Sequence, residues 1–218
     1  MTTRQSYDQD LSDLQHELLK MASLVEEAIS KSVRSLAQQD IDLAQQVIDG
    51  DECINRMETD IEDRCLKLIA LQQPLARDLR VIGTAIRIIS DLERMADHAC
   101  DIAKTTLRFA DQPLIKPLVD IPRMATLAQK MLKDSIDAYV RLDVALAEQV
   151  GIDDDAVDAL YSQVFRELLT YMMEDPQTIT QATHLIFVGR YLERIADHAQ
   201  NIAEWVVFLV TGVRRKFS

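Results

Sequence analysis

Residues 92–103 read LERMADHACDIA and residues 192–203 read LERIADHAQNIA, so nine of twelve positions are identical at an offset of 100. A period that long is outside the 20–50 residue range of stacked solenoid repeats. It marks instead the duplication of a whole unit about 100 residues long. The likeness extends upstream in weaker form. Residues 22–47 align with 125–150 at an offset of 103, with eight of twenty-six positions identical, among them Asp40/Asp143, Leu43/Leu146, Ala44/Ala147, Gln46/Gln149 and Val47/Val150. Small insertions between helices absorb the shift from 103 to 100.

The repeated stretch has helical periodicity. Ile82, Ala85, Ile89, Leu92, Ala96, Ala99 and Ala103 recur three and four residues apart, the spacing of one helix face. Val81, Ile88, Met95 and Ile102 form a second row beside it. The later copy repeats both rows, with Leu192, Ala196, Ala199, Ala203, Val206 and Val210 in one and Val188, Ile195, Ile202 and Leu209 in the other. A stripe this wide needs two helical neighbours, which makes the three-helix bundle the natural unit. The alanines let a facing helix approach closely, and such a seam would also suit a dimer.

Turn-forming residues are scarce, with five glycines and five prolines in 218 residues. Elements must therefore be few and long. The breaks predict helices over about 11–36, 41–71 (ending at Gln72-Gln73-Pro74) and 75–109. After the proline-rich 111–117 stretch come helices over about 121–150, then up to about Met173 before Asp175-Pro176, and finally 178–212. Gly151-Ile152-Asp153-Asp154 reads as the turn between the fourth and fifth. The fold class expected is all-α: two tandem three-helix bundles related by internal duplication, with six long helices. The first occupies 1–111 and the second 112–218.

The net charge of −12 argues against binding to a nucleic-acid backbone and suits cations or basic protein partners. Cys53, Cys65 and Cys100 are odd in number and widely spaced, which implies neither a disulfide framework nor a zinc motif and fits a reducing cytoplasm. The first residues lack the apolar core of a signal peptide. The longest apolar run, Trp205 to Val210, is far too short to span a bilayer, so membrane contact is expected only through a partner.

Glu93, Asp97 and Asp101 follow one another at four-residue spacing and form an acidic row on the shoulder of the apolar stripe. Glu193, Asp197 and Asn201 repeat it. Like charges four apart destabilise a helix by a few tenths of a kcal/mol per pair. Converging carboxylates are what a hard or borderline cation takes as ligands. These six residues are the candidate metal ligands. The same row serves equally as a solvated face, or is neutralised locally by Arg94 and Arg194. His98 and His198 fall on the outward side of the heptad frame and are expected to be exposed; His16 and His184 belong to no constellation. The basic Val213-Arg214-Arg215-Lys216 complements the end of the last helix dipole or an anionic partner. No HExxH, phosphate-binding glycine loop, GxSxG or CxxC is present, and the reading is of a protein that is not an enzyme.

The paired LERxADHA stretches, together with Val47-Ile48-Asp49-Gly50-Asp51, Gln73-Pro74-Leu75-Ala76-Arg77-Asp78-Leu79-Arg80 and Leu169-Thr170-Tyr171-Met172-Met173-Glu174-Asp175-Pro176, resemble the PhoU family of bacterial phosphate-regulatory proteins over essentially the whole chain. The resemblance implies two pseudo-symmetric three-helix bundles. It also implies a cytoplasmic adaptor between the ATPase subunit (PstB) of the phosphate ABC transporter and the sensor histidine kinase PhoR. Such an adaptor is a negative regulator of the phosphate regulon; a homodimer is expected from the alanine seam rather than from the resemblance. Some members hold iron or another divalent or trivalent metal through E/DxxxD motifs. That pattern marks Glu93, Asp97 and Asp101 in the first half and Glu193 and Asp197 in the second, while Asn201 departs from the run of acids. The alternative reading is a metal store or di-metal bundle enzyme, against which the ExxH pairing of such sites is missing.

Overall fold

The structure is a computed structural model that describes residues 3–217, and of residues 3–6, 8 and 72 the backbone alone. Six helices follow one another: α1 (Thr3–Gln38), α2 (Ile41–Gln72), α3 (Ala76–Arg108), α4 (Asp120–Arg141), α5 (Val144–Glu174) and α6 (Ile179–Thr211). A single 3-10 turn at Pro176–Thr178 precedes α6, and no strand occurs among the described residues. The helices α1, α2 and α3 pack on one another, and so do α4, α5 and α6; α3 against α6 and α1 against α4 join the two bundles. None of the helices is long and apolar enough to cross a membrane.

The duplication is visible in the backbone of the first turn of each half. Gln39 and Leu142 sit in the left-handed region at φ 53 and φ 55. The N–H that follows each of them reaches back five residues, Asp40 to the Ser35 carbonyl at 2.9 Å and Asp143 to the Ala138 carbonyl at 3.0 Å. This is the helix-ending hydrogen bond of a Schellman turn, made without glycine. The Asp40 and Asp143 carboxylates then accept from the N–H groups of Leu43 at 2.9 Å and Leu146 at 3.1 Å, capping α2 and α5. Each cap contributes about 1 kcal/mol.

One boundary differs from the sequence expectation. The fourth helix ends at Arg141, not near Val150, and α5 runs unbroken through Gly151. Gly151 is therefore helical. Its missing side chain makes room for Phe217: a Cβ built there would come within 2.7 Å of the Phe217 ring. Glycine inside a helix costs roughly 0.5–1 kcal/mol against alanine, and here a tertiary contact requires it.

The connection between bundles is fixed to the second. Gln181 of α6 accepts from the Ile115 N–H at 2.5 Å and donates to the Pro113 carbonyl at 3.1 Å. Lys116 pairs with Glu167 of α5. Of the residues named from the stripe, Ile82, Ala85, Ile89, Leu92, Ala96, Ala99 and Ala103 on α3 and Leu192, Ala196, Ala199, Ala203 and Val206 on α6 are buried, whereas Val210, near the end of α6, is 41% exposed. The alanine seam is thus used inside the chain.

Candidate functional site

The outward sides of α3 and α6 face each other. Asp91, His98, Tyr191 and His198 meet there, because the side of a helix that points away from its own bundle points at the other one. The His98 ring stacks on Tyr191 with centroids 5.7 Å apart and lies 5.8 Å from the His198 ring. His198 Nδ1 donates to Asp91 Oδ1 at 2.8 Å, and Asn201 Nδ2 donates to the same oxygen at 3.3 Å. Asp91 and Tyr191 correspond under the offset of 100, so each histidine meets the equivalent position of the opposite bundle. The expectation of two exposed histidines is thereby corrected. Burial, and secondarily the neighbouring His198, hold the His98 imidazole down at about 4, so it stays neutral at physiological pH.

The acidic row looks elsewhere. Glu93 and Asp97 of α3 share a surface with Asp51, Asn55 and Glu58 of α2. Burial, then Asp97, raises the Glu93 carboxyl, opposed by Arg94; burial, then Asp51, raises Asp97, opposed by the same arginine. Burial, then Glu62, raises Glu58. The second bundle repeats the arrangement, with Glu193 and Asp197 of α6 beside Asp154 and Asp158 of α5. There burial, then the Asp158, Asp197 and Glu193 carboxylates, push the Asp154 carboxyl up to about 7. Asp51 corresponds to Asp154 and Asn55 to Asp158 at the offset of 103.

Arginines neutralise both clusters in part. Arg94 Nε lies 3.4 Å from Glu93 Oε2 and its Nη1 3.2 Å from Asp97 Oδ2. Arg194 Nη1 lies 2.8 Å from Asp197 Oδ2, and Arg190 pairs with Glu193. Among the described residues no three His, Cys, Asp or Glu side chains converge closely enough to hold a metal ion. Asp101 is turned to Lys104 at 3.0 Å and Asn201 to Asp91, so neither joins its row at the cluster.

The oxygen donors nevertheless suit a hard or borderline cation. Asp51 Oδ1, Asn55 Oδ1, Asp154 Oδ1 and Glu193 Oε2 are buried without a hydrogen-bond partner. A buried acceptor without a partner costs about 1–3 kcal/mol, more when charged, and one cation at each cluster would satisfy them. Arg94 and Arg194 are 61% and 44% exposed at the side chain, so both can swing into solvent and release their carboxylates. Asp51, Asn55, Glu93 and Asp97 would hold one cation and Asp154, Asp158, Glu193 and Asp197 the other. The cation would supply positive charge and cross-link the helices. The α2 and α5 members were not singled out from the sequence. Carrying the offset of 103 four residues past Val47/Val150 pairs Asp51 with Asp154 and would have found them.

A raised carboxyl in the folded state contributes stability that is present below its unfolded value, near 4, and lost as pH rises through its folded value. For Asp154 that window runs from about 4 to about 7. In chelator, Asp154→Asn is expected to raise the melting temperature above about pH 7 and leave it nearly unchanged at about pH 4. Thermal melts across that range check this, and parallel profiles for the two proteins would count against it.

The family model described as "PhoU domain" matches residues 18–106 and again 121–206. The chain belongs to the PhoU family. A phosphate-specific transport system accessory protein PhoU homolog from Aquifex aeolicus is 46% identical over 203 residues, covering 93% of this chain and 92% of that one. The crystal structure of PhoU from Pseudomonas aeruginosa superposes with a TM-score of 0.91 at 39% identity, covering 95% of this chain and all of that one. The phosphate transport system regulatory protein PhoU from Streptococcus pneumoniae superposes at 0.89 with 32% identity, covering 96% and 99%. The two PhoU matches fall one on each bundle, and the acidic clusters lie within them.

Proposed function

We propose that this chain is a regulatory accessory of a phosphate-specific transport system, working by protein contact and not by turnover. The observation that carries this is likeness over nearly the full length to proteins described in those terms, including 46% identity to the Aquifex aeolicus homolog. In this reading the units 1–111 and 112–218 present two related acidic faces from one rigid seam. The faces suit basic surfaces on two partners, which we take to be the transporter's ATPase subunit, PstB, and the sensor kinase PhoR. The place of action is the cytoplasm, the working form a homodimer, and the sign of regulation negative when phosphate is plentiful. Cations held at the two clusters, iron or another divalent or trivalent metal, would displace the arginines and change the charge each face offers a partner.

The test uses cells carrying a reporter driven by a phosphate-starvation promoter. In ample phosphate, Glu93→Ala with Asp97→Ala is expected to raise expression towards the starved level while circular dichroism and melting temperature stay near wild type. Repression retained by that variant would remove the first acidic face from the function. Repression retained on deletion of the whole chain would remove the regulatory reading itself.

A further inference from the structure

The segment after α6 folds back over the seam between the bundles and is held at three points. Phe217 N–H donates to Glu204 Oε1 at 2.8 Å, Arg215 Nη1 lies 2.9 Å from Glu148 Oε1, and the Phe217 ring rests on Gly151. These anchors place the Arg214 guanidinium 4.6 Å from the centre of the Trp205 ring system and 5.7 Å from that of Phe208. From the other bundle, Arg87 of α3 reaches the same indole at 5.4 Å. Between them opens a pocket of about 360 Å³, lined by Arg87, Ser90, Asn201, Trp205, Arg214 and Lys216 among others.

The charge in this pocket runs against the rest of the chain. Four cations border it, and among the described residues only Arg215 is in an ion pair, with Glu148. The two bordering carboxylates are directed elsewhere, Asp91 accepting from His198 and Asn201 and Glu204 from the Phe217 N–H. Arg87, Arg214 and Lys216 thus concentrate three cationic groups without a carboxylate partner in a protein of net charge −12. Arginine forks match phosphoryl oxygens in geometry, and the volume lies in the range of small-molecule sites. Four cations and two carboxylates give the lining a net charge of +2, so a singly charged anion would leave half of it unmatched.

We propose that the seam pocket binds a small ligand carrying two or more phosphoryl groups. Its oxygens are taken by Arg87, Arg214 and Lys216, with Ser90 and Asn201 as neutral donors. The ligand touches α3, α6 and the returning segment at once, so its binding locks the two bundles together. This inference does not depend on the acidic clusters or on the regulatory reading.

Trp205 is the sole tryptophan, and its fluorescence reports on the pocket directly. The full chain, kept in chelator so that metal at the acidic clusters takes no part, is titrated with tripolyphosphate, ATP and orthophosphate. Tripolyphosphate and ATP are expected to give saturable changes, with orthophosphate about tenfold weaker or more, because it meets fewer of the cations. Arg87→Ala and Lys216→Ala are each expected to weaken binding by about tenfold, the loss of one charge-assisted contact. Calorimetry on Lys216→Ala gives a reading free of any change in the indole's own surroundings. Tighter binding of ATP than of tripolyphosphate assigns the source as a nucleotide, and equal binding assigns a polyphosphate chain. Absence of saturation with both, orthophosphate binding as tightly as tripolyphosphate, or unchanged affinity in both variants overturns the proposal.

Discussion

Leu192→Ala is expected to lower the unfolding free energy by about 2–5 kcal/mol, the loss of a buried leucine plus the cavity it leaves. Leu192 has no solvent exposure, and α6 packs on α3, α4 and α5. A side chain in that position has few ways to be replaced by collapse of its neighbours. At about 2–4 °C per kcal/mol for a chain of this size, the melting temperature should fall by roughly 4–20 °C. Leu92, its counterpart on α3, is equally buried and should show a loss of the same order. Leu71, 79% exposed at the end of α2, should tolerate alanine within about 0.5 kcal/mol. Urea melts of the three variants check the ranking. A Leu192 variant as stable as the Leu71 variant would mean that the interior of the second bundle is not part of the cooperative core.

That ranking follows from a pattern the sequence displays openly. The three-and-four spacing on α3 and α6 places Leu92 and Leu192 in the stripe before any coordinates, and the prolines at 74 and 176 mark the ends of α2 and α5. The boundary between α4 and α5 lies earlier than the sequence suggests, because Gly151 carries the usual mark of a turn yet is helical. What keeps it in a helix is Phe217, sixty-six positions away, a contact local reasoning has no means to see. The true boundary left a local sign in Asp143, the counterpart of Asp40, since both are N-caps after a left-handed residue. The left-handed residues are a glutamine and a leucine, so no glycine advertised the turn.

The two histidines show a different limit. A heptad frame separates inward from outward within one bundle, and it says nothing about a second bundle packed on the outer side. His98 and His198 are outward in that sense, and for that reason they meet at the seam. The candidate site was half legible. The acidic rows on α3 and α6 stand out through their near-identity. Their partners on α2 and α5 were hidden, Asp154 by being assigned to a turn and Asp51 by lying just beyond the aligned segment. The arginines within the motif proved to neutralise the rows in the conformation described, as local charge balance allows.

The largest effect on composition is expected for metal. Protein purified without chelator or a metal-affinity column should carry metal in stoichiometric amount, and the variant with Glu93, Asp97, Glu193 and Asp197 all changed to alanine should carry none. Removing one carboxylate from a set of oxygen donors weakens a hard cation's site through both lost charge and lost coordination. The paired loss at both clusters leaves only the α2 and α5 donors, which belong to a single helix each. Two further variants separate the geometry from the motif. Asp51→Ala with Asp154→Ala lies outside the repeated stretch, yet should deplete metal as strongly, because those oxygens are buried beside the row without partners. Asn201→Ala lies inside it, yet should retain metal, because Asn201 is turned to Asp91 across the seam. Elemental analysis of all four proteins decides among them. Depletion by Asn201→Ala with retention in the Asp51 and Asp154 variant would show that the helical row, not the pair of facing helices, holds the cation. Metal absent from the wild type would leave the arginine-neutralised state as the working one, with each carboxylate face addressed to a basic partner surface.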